Sequence, residues 1–522
     1  MAAVADTKML ELQPKASEQE ASKMSIAVDE DANSLTWTQQ FGELKKSWHS
    51  AWACFSCASI AILIGYDLNL IGSIIANTEF TESFGEYDTS LSVWTLPANR
   101  QLAWTICQFV SAMLGAFTVG MISDKWGRKL CGFITVFLTI LGTIIELVAP
   151  NWGVWALAKV IFGLAMGFMQ GNTQTYVSEL APLRIRGFML SLFQLWIVFG
   201  SFLSACVLEG TSNIEGPWSW KAAVVSQLGI GAIVGSLFFF FVPESPYYLA
   251  SRGKTTEARD VLIRLRGKEE GFDADDDLQT IITTIDHERS NANESVSYLQ
   301  CFKGVDRRRT LLACLPMVMQ QFGGFPLCTN YMAYFLKQSG LEDAFLITVI
   351  ASLLSIGAVM ASFALIEKVG RRPQLLAGIA LMIPCLLAIT ILGWYGGNTY
   401  AGGRALAAIT IIWNILYFVS LGAIGWTIVG EISSTRLRAK TTSIATITNA
   451  ICNLIWAVAI PYLVNAEEAN LGPKAGVVFL GPAFILAIAS FFVIPETKGK
   501  TFAELDYLFE TRTPARKFSQ RG

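Results

Sequence analysis

Two segments of the chain are related in sequence: GMISDKWGRK at residues 120–129 and IEKVGRR at residues 366–372. Each follows an apolar stretch and places an acidic residue shortly before a glycine and two basic residues. A second related pair, SELAPLRIR at residues 178–186 and GEISSTRLR at residues 430–438, comes later in each half of the chain. This repeated order predicts two structurally similar halves.

The apolar stretches predict a chain that crosses a membrane many times. Of the 522 residues, 53% are hydrophobic and only 15% are charged. A spanning helix needs about 20 mostly apolar residues, because a charged side chain in hydrocarbon costs several kcal/mol. We therefore predict an all-α membrane protein with twelve transmembrane helices in two six-helix halves. The segments lie near residues 52–76, 103–123, 131–149, 154–174, 188–208, 221–242, 310–336, 344–366, 374–394, 404–430, 440–464 and 474–494.

Polar segments separate the predicted parts of the chain. Residues 1–50 lack the basic and apolar regions of a signal peptide, so we expect a disordered N-terminal tail. The first six helices fall within residues 51–243 and the last six within residues 310–495. A charged linker at 244–309 lies between the two halves, and a tail at 496–522 follows the second half. Apolar residues at helical spacing within 255–265 and 278–285 predict short helices in the linker.

The charges of the connecting loops predict the orientation. Basic residues cluster in every second connection, as at Arg128, Arg308 and Arg371, whereas another connection carries an acidic run at 79–88. Cytoplasmic loops are enriched in Lys and Arg. We therefore expect both termini and the linker to be cytoplasmic.

Several classes of function have no support in the sequence. The net charge is −2 without a basic domain, which argues against nucleic-acid binding. The two histidines, His49 and His287, lie outside the predicted spans, so no metal cluster is visible. No nucleophile and base form a recognisable pattern, and no cofactor motif is complete. We expect neither an enzyme nor a cofactor.

Two ionisable residues fall deep in the first half, Asp67 in the first predicted span and Lys159 in the fourth. Their positions suggest a similar depth, and pairing is the expected solution for charges in a membrane. Protonation of Asp67 would break such a pair and bias a conformational equilibrium. A structural salt bridge is the alternative. Glu146, near the end of the third span, is expected to reach the membrane surface without a role.

Polar residues in the membrane predict a solute cavity. The seventh span begins with Gln320 and Gln321 and is then interrupted by glycines and Pro326. A broken helix at membrane depth is tolerated where it lines a cavity or is buried in protein. Amides both donate and accept hydrogen bonds, and an aromatic face covers C–H groups, as a neutral polyol requires. The residues that fit this chemistry are Gln194, Gln320, Gln321, Trp426 and Asn449.

The motifs together resemble the sugar porter family of the major facilitator superfamily, and the chain looks most like its fungal members. The resemblance is carried by the acidic-then-GR[RK] loops, by PESP at 243–246, by the glutamines opening the seventh span and by PETKG at 495–499. The chain departs from the family at three positions, where Pro326, Lys159 and Ala423 replace the family's usual Asn, Arg and Pro.

The resemblance implies roles for particular residues. It implies a major facilitator fold, proton symport of a hexose or glucoside, a monomer in the cell membrane, and sugar contacts at the five solute residues named above. Asn330 and Tyr331 match the position of an outer gate. A set of charged residues is expected to hold the cytoplasmic side shut when the outer side is open: Asp124, Arg128, Glu179, Arg186, Glu367, Arg371, Glu431 and Arg438.

Two alternatives remain at this stage. The first is the same fold moving a polyol, a quinate-like acid or an exported secondary metabolite, because fold does not fix the substrate. The second is a sensor that signals through a tail, although about 26 residues after Glu496 are too few for a folded domain on ordinary size grounds.

Overall fold

Twelve helical passes, named spans 1 to 12, make up the body of the molecule. The computed structural model describes residues 42, 45–88, 93–182, 185–212, 214–267, 272–291, 298–330, 332–338, 344–395, 400–433, 437–464, 469, 471–498, 505 and 508–518. The spans are Trp48–Ala58 with Ala61–Ile74 (1), Ala98–Trp126 (2), Arg128–Val148 (3), Trp152–Leu180 (4), Arg186–Thr211 (5), Trp218–Phe241 (6), Gly304–Phe322 with Pro326–Asn330 and Met332–Gln338 (7), Ala344–Val369 (8), Arg371–Tyr395 (9), Tyr400–Tyr417 with Phe418–Gly422 and Ala423–Ile432 (10), Arg438–Val464 (11) and Gly476–Val493 (12).

The predicted all-α membrane fold is confirmed. Within the described residues, 11 helices are long and apolar enough to cross a membrane. Span 7 is the exception, because its first helix ends at Phe322 and the chain passes through Gly324 at a φ of 106° before it resumes. A positive φ is open to glycine at no steric cost, and Pro326 brings no N–H for a helical hydrogen bond.

Large apolar side chains on the outside of the spans have the exposure expected next to lipid. Phe117 and Ile485 are 68% and 67% exposed, and Phe137 and Phe240 are similarly open. Soluble monomers rarely expose apolar surface on this scale. The chain is therefore a multi-pass membrane protein.

Shorter elements lie outside the spans. The helix Thr78–Phe84 and an antiparallel hairpin of Glu86–Asp88 and Val93–Thr95 follow span 1. The linker holds Pro246–Ser251, Thr255–Arg266 and Ala274–Asn291, so its predicted helices are confirmed. These three pack around a small apolar cluster, in which Leu249, Leu262, Leu278 and Ile281 are buried. Short 3-10 turns occur at Tyr298–Phe302, Gly472–Ala475 and Ala515–Lys517.

In the described residues, the two halves meet mainly along three pairs of helices. Span 2 packs against span 11, span 5 against span 8, and the end of span 1 against the broken part of span 7. The last contact is close, since a Cβ added to Gly72 would lie 1.7 Å from the carbonyl oxygen of Asn330. We call the end with Arg128 and Arg371 the basic end, and the end with Gly72 and Asn330 the opposite end.

Within the first half, glycines bring spans 2 and 4 into backbone contact. A Cβ at Gly163 would lie 2.1 Å from the carbonyl oxygen of Gln108, and one at Gly167 would lie 2.1 Å from that of Ala112. Small residues at four-residue spacing permit such close helix packing in membranes. This glycine stripe therefore serves the packing of span 4 against span 2.

Gly167→Ala is expected to lower the thermal unfolding midpoint of the purified protein, because the added methyl meets backbone that cannot move away. Overpacking of this kind costs typically about 1–3 kcal/mol. Gly120→Ala is the matched control, since a Cβ at Gly120 meets nothing within 4 Å. An unchanged midpoint in Gly167→Ala would contradict the close contact between spans 2 and 4.

Candidate functional site

Three ionisable side chains form a buried ion cluster in the first half: Asp67 of span 1, Glu146 of span 3 and Lys159 of span 4. The Nζ atom of Lys159 lies 2.8 Å from Oδ1 of Asp67 and 2.5 Å from Oε1 of Glu146. None of the three side chains has exposed surface. The structure therefore brings together the predicted pair of Asp67 and Lys159 and adds a second carboxylate to it.

The prediction that Glu146 reaches the membrane surface is wrong. Glu146 lies on the buried face of span 3, in line with Thr135, Thr139 and Thr143. Residues spaced by three or four positions share one face of a helix. The position near the helix end suggested exposure, whereas this polar stripe shows that the side chain points inward. The stripe is the sequence signal that could have identified Glu146.

Gln108 of span 2 connects the ion cluster to a space between the halves. Its Nε2 atom donates a hydrogen bond of 2.6 Å to Oδ2 of Asp67. The same side chain lines a small cavity of about 30 Å³, together with Asn330 and Asn453 from the second half. Such a volume is close to that of one water molecule. Gln108 was not among the residues predicted from the sequence, although Gln101, Thr105 and Gln108 form a polar stripe at helical spacing.

An aromatic cap covers the ion cluster toward the opposite end. The ring of Trp155 lies 5.4 Å from Nζ of Lys159, a cation–π distance. Trp155 is 2% exposed and packs against four other rings, with centroid distances of 5.2 Å to Phe80 and 5.7 Å to Trp220. Phe84 and Trp104 complete the cap. Trp155, packed against these rings, gives Lys159 an apolar neighbour on this side.

Three of the five predicted solute-binding residues meet in the second half. Nδ2 of Asn449 donates to Oε1 of Gln320 at 3.3 Å, and Nε2 of Gln320 donates to the carbonyl of Leu421 at 3.2 Å. Trp426 packs against an apolar cluster that includes Met317. Sδ of Met317 is also 3.8 Å from the amide of Asn449. These residues of spans 7, 10 and 11 therefore form one polar and aromatic surface.

The other two predicted solute-binding residues are placed less directly. Gln321 is 3% exposed, and its Oε1 atom is buried without a hydrogen-bond partner among the described residues. Gln194 is half-buried on span 5. No described hydrogen bond joins either amide to Gln320 or Asn449. A polar solute between the halves could satisfy such amides.

The predicted outer gate is described in part. Asn330 ends the π-helical turn Pro326–Asn330 of span 7 and lines the cavity between the halves. Tyr331 lies outside the described residues. Nearby, the amine of Lys337 donates a hydrogen bond to the carbonyl of Ala76, just beyond the end of span 1. A cation at a helix C-terminus is favourable. Within the described residues, this hydrogen bond joins the halves at the opposite end.

At the basic end, each half contains the same arrangement of an arginine and a glutamate. Nε of Arg128 lies 3.2 Å from Oε2 of Glu179, and Nη2 of Arg371 lies 2.7 Å from Oε1 of Glu431. Arg128 also lies 3.4 Å from the exposed Asp124. The described ion pairs of this set are thus formed within one half each.

A second glutamate in each half caps the helix that begins with the arginine. Glu244 accepts hydrogen bonds from the backbone N–H groups of Arg128 and Lys129, and Glu496 accepts them from Arg371 and Arg372. Carboxylates are favourable at helix N-termini. The hydroxyl groups that follow each glutamate also correspond, since Ser245 donates to Glu179 and Thr497 donates to Glu431.

The remaining predicted members of the charged set cannot be placed. The side chains of Arg186, Glu367 and Arg438 lie outside the described part of the chain. A bond between the halves at the basic end therefore stays a prediction.

These features define a class of protein. A bundle of two similar membrane halves, with buried charge in one half, polar side chains in the other and a cavity between them, is the architecture of a secondary transporter. The chain belongs to the family described as sugar (and other) transporter, whose model matches residues 53–509.

Named relatives and a solved structure agree with this assignment. A general alpha-glucoside permease of Saccharomyces cerevisiae is 28% identical over 480 residues, which cover 88% of this chain and 75% of the permease. The MFS transporter fmqE of Aspergillus fumigatus is 30% identical over 475 residues, which cover 90% of this chain and 87% of fmqE. A structure of XylE, a proton:xylose symporter of the major facilitator superfamily, superimposes with a TM-score of 0.68 at 22% identity, covering 89% of this chain and 100% of XylE. The fold is therefore the major facilitator fold.

Lys337→Met is expected to open the opposite end, because it removes the hydrogen bond to Ala76. A hydrogen bond from a charged group is worth about 1.5–3 kcal/mol, which corresponds to a population shift of about tenfold or more. The measurement is the rate at which a membrane-impermeant thiol reagent labels a cysteine placed at Ile71, which lines the cavity.

Lys498→Met serves as the control for this measurement. Its amine donates to the carbonyl of Lys368 at 2.8 Å, within the same half. Equal labelling rates in both lysine variants would show that Lys337 does not hold the halves together.

Proposed function

We propose that this transporter moves a sugar, a hexose or a glucoside, by alternating access as a proton symporter. The observation that carries the proposal is the fully buried pair of Asp67 and Lys159, which is connected through Gln108 to the cavity between the halves. Buried ion pairs often contribute little net stability compared with well-packed apolar residues, so stability alone does not explain why charged residues occupy this depth. A retained intramembrane charge pair is a functional hypothesis by default.

Proton coupling follows from the electrostatics of the pair. A proton on Asp67 removes the charge that balances Lys159 and weakens the interaction between spans 1 and 4. The two protonation states then favour different arrangements of the helices, and a ligand shifts an equilibrium only by such a difference. The proton:xylose symporter with the same fold supports this proposal.

Sugar recognition rests on the second half. Gln320, Asn449 and Trp426 offer amide donors and acceptors next to an aromatic ring. Gln194 and Gln321 add amide groups that a hydroxyl-rich solute can use. The family description and the alpha-glucoside permease among its relatives support a sugar as the solute.

The remaining features are part of the same proposal. The basic loops favour a cytoplasmic location of the basic end, of both termini and of the linker. The halves correspond to residues 51–243 and 310–495, and the protein acts as a monomer in the lipid of the cell membrane. It moves its solute without a cofactor or a catalytic step.

A second candidate is the same mechanism acting on a non-sugar solute. The family takes in other solutes, and the MFS transporter fmqE is among the relatives. Pro326 and the neighbouring Phe322 and Phe325 give span 7 an apolar surface near the polar residues. A polyol, a quinate-like acid or an exported secondary metabolite would suit this mixture.

In cells without their own sugar uptake, the wild-type protein is expected to accumulate one member of a labelled panel of hexoses and α-glucosides. Accumulation should be stimulated at acidic pH and abolished by a protonophore. Asp67→Asn should lose accumulation but retain equilibration, because the variant cannot exchange the proton. No uptake of any sugar, with the protein present in the cell membrane, would favour the non-sugar solute.

Asn449→Leu is expected to raise KM for the accumulated sugar about tenfold, since a hydrogen bond contributes about 1 kcal/mol and its loss strands the polar partner. Asn99→Leu, at the exposed start of span 2, should leave KM unchanged. An unchanged KM in Asn449→Leu, measured from initial uptake rates, would remove Asn449 from the solute site.

A further inference from the structure

The charges of the buried ion cluster do not sum to zero when all three groups are ionised. Asp67 and Glu146 each carry one negative charge and Lys159 carries one positive charge, while all three side chains are fully buried. An uncompensated charge in the membrane interior is costly. One proton on either carboxylate makes the cluster neutral. The cluster is thus balanced only when it holds a proton.

We propose that Glu146 is a second proton-carrying carboxylate of the transport cycle, which holds this proton in the arrangement described above and exchanges it with Asp67 across Lys159. The inference rests on the proposed function, because it extends the proton site formed by Asp67 and Lys159.

The hydrogen bonds determine which carboxylate holds the proton. Oδ1 of Asp67 accepts from Lys159, and Oδ2 of Asp67 accepts from Gln108 at 2.6 Å. Both oxygens of this carboxylate therefore have donors, which favours its ionised form. Glu146 contacts Lys159, but neither of its oxygens accepts a further hydrogen bond from the described residues. Glu146 is the carboxylate with less support for a negative charge, so it carries the proton.

The two carboxylates occupy different surroundings. Glu146 lies two residues before span 3 ends at Val148, on the side of the cluster toward the opposite end. Asp67 is bonded to Gln108, which lines the cavity between the halves. In the transfer step, the carboxylic acid of Glu146 gives its proton to Lys159 while Lys159 gives one to Asp67. One proton moves in total, and Lys159 keeps its charge.

Other charged groups near these helices do not balance the cluster. The spans that pack against Asp67 and Glu146 carry further charged side chains toward the same end. Arg100 pairs with Glu86, Lys221 lies over the ring of Trp220, and Lys337 donates to Ala76. Glu209 lies near the end of span 5. In the described residues, none of these groups forms an ion pair with the cluster.

The first test needs no solute. The thermal unfolding midpoint of the purified protein is measured from acidic to alkaline pH for wild type, Glu146→Gln, Glu146→Asp and Glu82→Gln. In the unfolded state these carboxylates are exposed to water. At a pH at which an exposed carboxylate has lost its proton but the folded cluster still holds one, the folded state binds more protons than the unfolded state. Stability then falls as pH rises. We expect this fall in wild type, in Glu146→Asp and in Glu82→Gln, because Glu82 is exposed on the helix Thr78–Phe84 that follows span 1.

Glu146→Gln should lose most of this pH dependence. The variant keeps the shape of the side chain and leaves Asp67 and Lys159 as a neutral pair, so it is expected to fold. A fall with pH in Glu146→Gln equal to that of wild type would overturn the proposal. The same pH dependence of the unfolding midpoint in Glu146→Asp and Glu146→Gln would also overturn the proposal. Only Glu146→Asp keeps a carboxyl group that can bind and release a proton, so the two variants must differ if this proton matters.

The second test uses the sugar that wild type accumulates. For Glu146→Gln, we expect half-maximal uptake to need a proton concentration about tenfold higher, since interacting carboxylates influence each other by about one pH unit or more. An unchanged pH profile in this variant would contradict the role of Glu146 and leave the proposed function intact. If wild type accumulates no sugar, the proposed function fails, and the unfolding measurement still decides whether Glu146 holds the proton.

Discussion

The arrangement of the first half depends on the burial of Lys159. An ammonium group in the middle of a membrane bundle is stable only with negative partners at hydrogen-bond distance. Asp67 and Glu146 supply them from two other helices, at 2.8 and 2.5 Å. Spans 1, 3 and 4 must therefore converge at one depth. Gly163 of span 4 lets span 2 approach as well, which brings Gln108 within reach of Asp67.

The fold could be predicted from the sequence because its determinants are local and repeated. Each of the sequence signals concerns a single helix or a single loop. These signals are the apolar stretches of about 20 residues, the basic residues in alternate loops, and the duplicated motifs around Arg128 and Arg371. The pairing of Asp67 with Lys159 was also predictable, since unpaired charges are excluded at that depth. The burial of Glu146 does not follow from its distance to the helix end, because that distance gives the depth of a residue and not the direction of its side chain. The polar stripe of Thr135, Thr139, Thr143 and Glu146 indicates the inward direction, and the packed helices show it.

In the part of the chain that the structure describes, the contacts at the basic end are repeated in the two halves, whereas the deeply buried charges are not. Glu244 and Glu496 cap corresponding helices, and Arg128 and Arg371 bind corresponding glutamates. Each of these contacts stabilises its own half as a rigid unit. Deeper in the membrane the halves differ, because the buried ion cluster has no counterpart among the described residues of the second half. Among the described residues, the contacts at the basic end are thus alike in the two halves, whereas the deeply buried charges are not.

This asymmetry defines where coupling has to occur. The groups that we propose as proton carriers lie in spans 1, 3 and 4, whereas Gln320 and Asn449, the amides proposed for the solute, lie in spans 7 and 11. Neither set alone can link two ligands, since coupling requires an element whose state both ligands influence. Gln108 meets this condition, because it donates to Asp67 and also lines the cavity shared with the second half. A solute that competes for its amide would change the hydrogen bonding of Asp67, and a proton on Asp67 would free that amide for the solute.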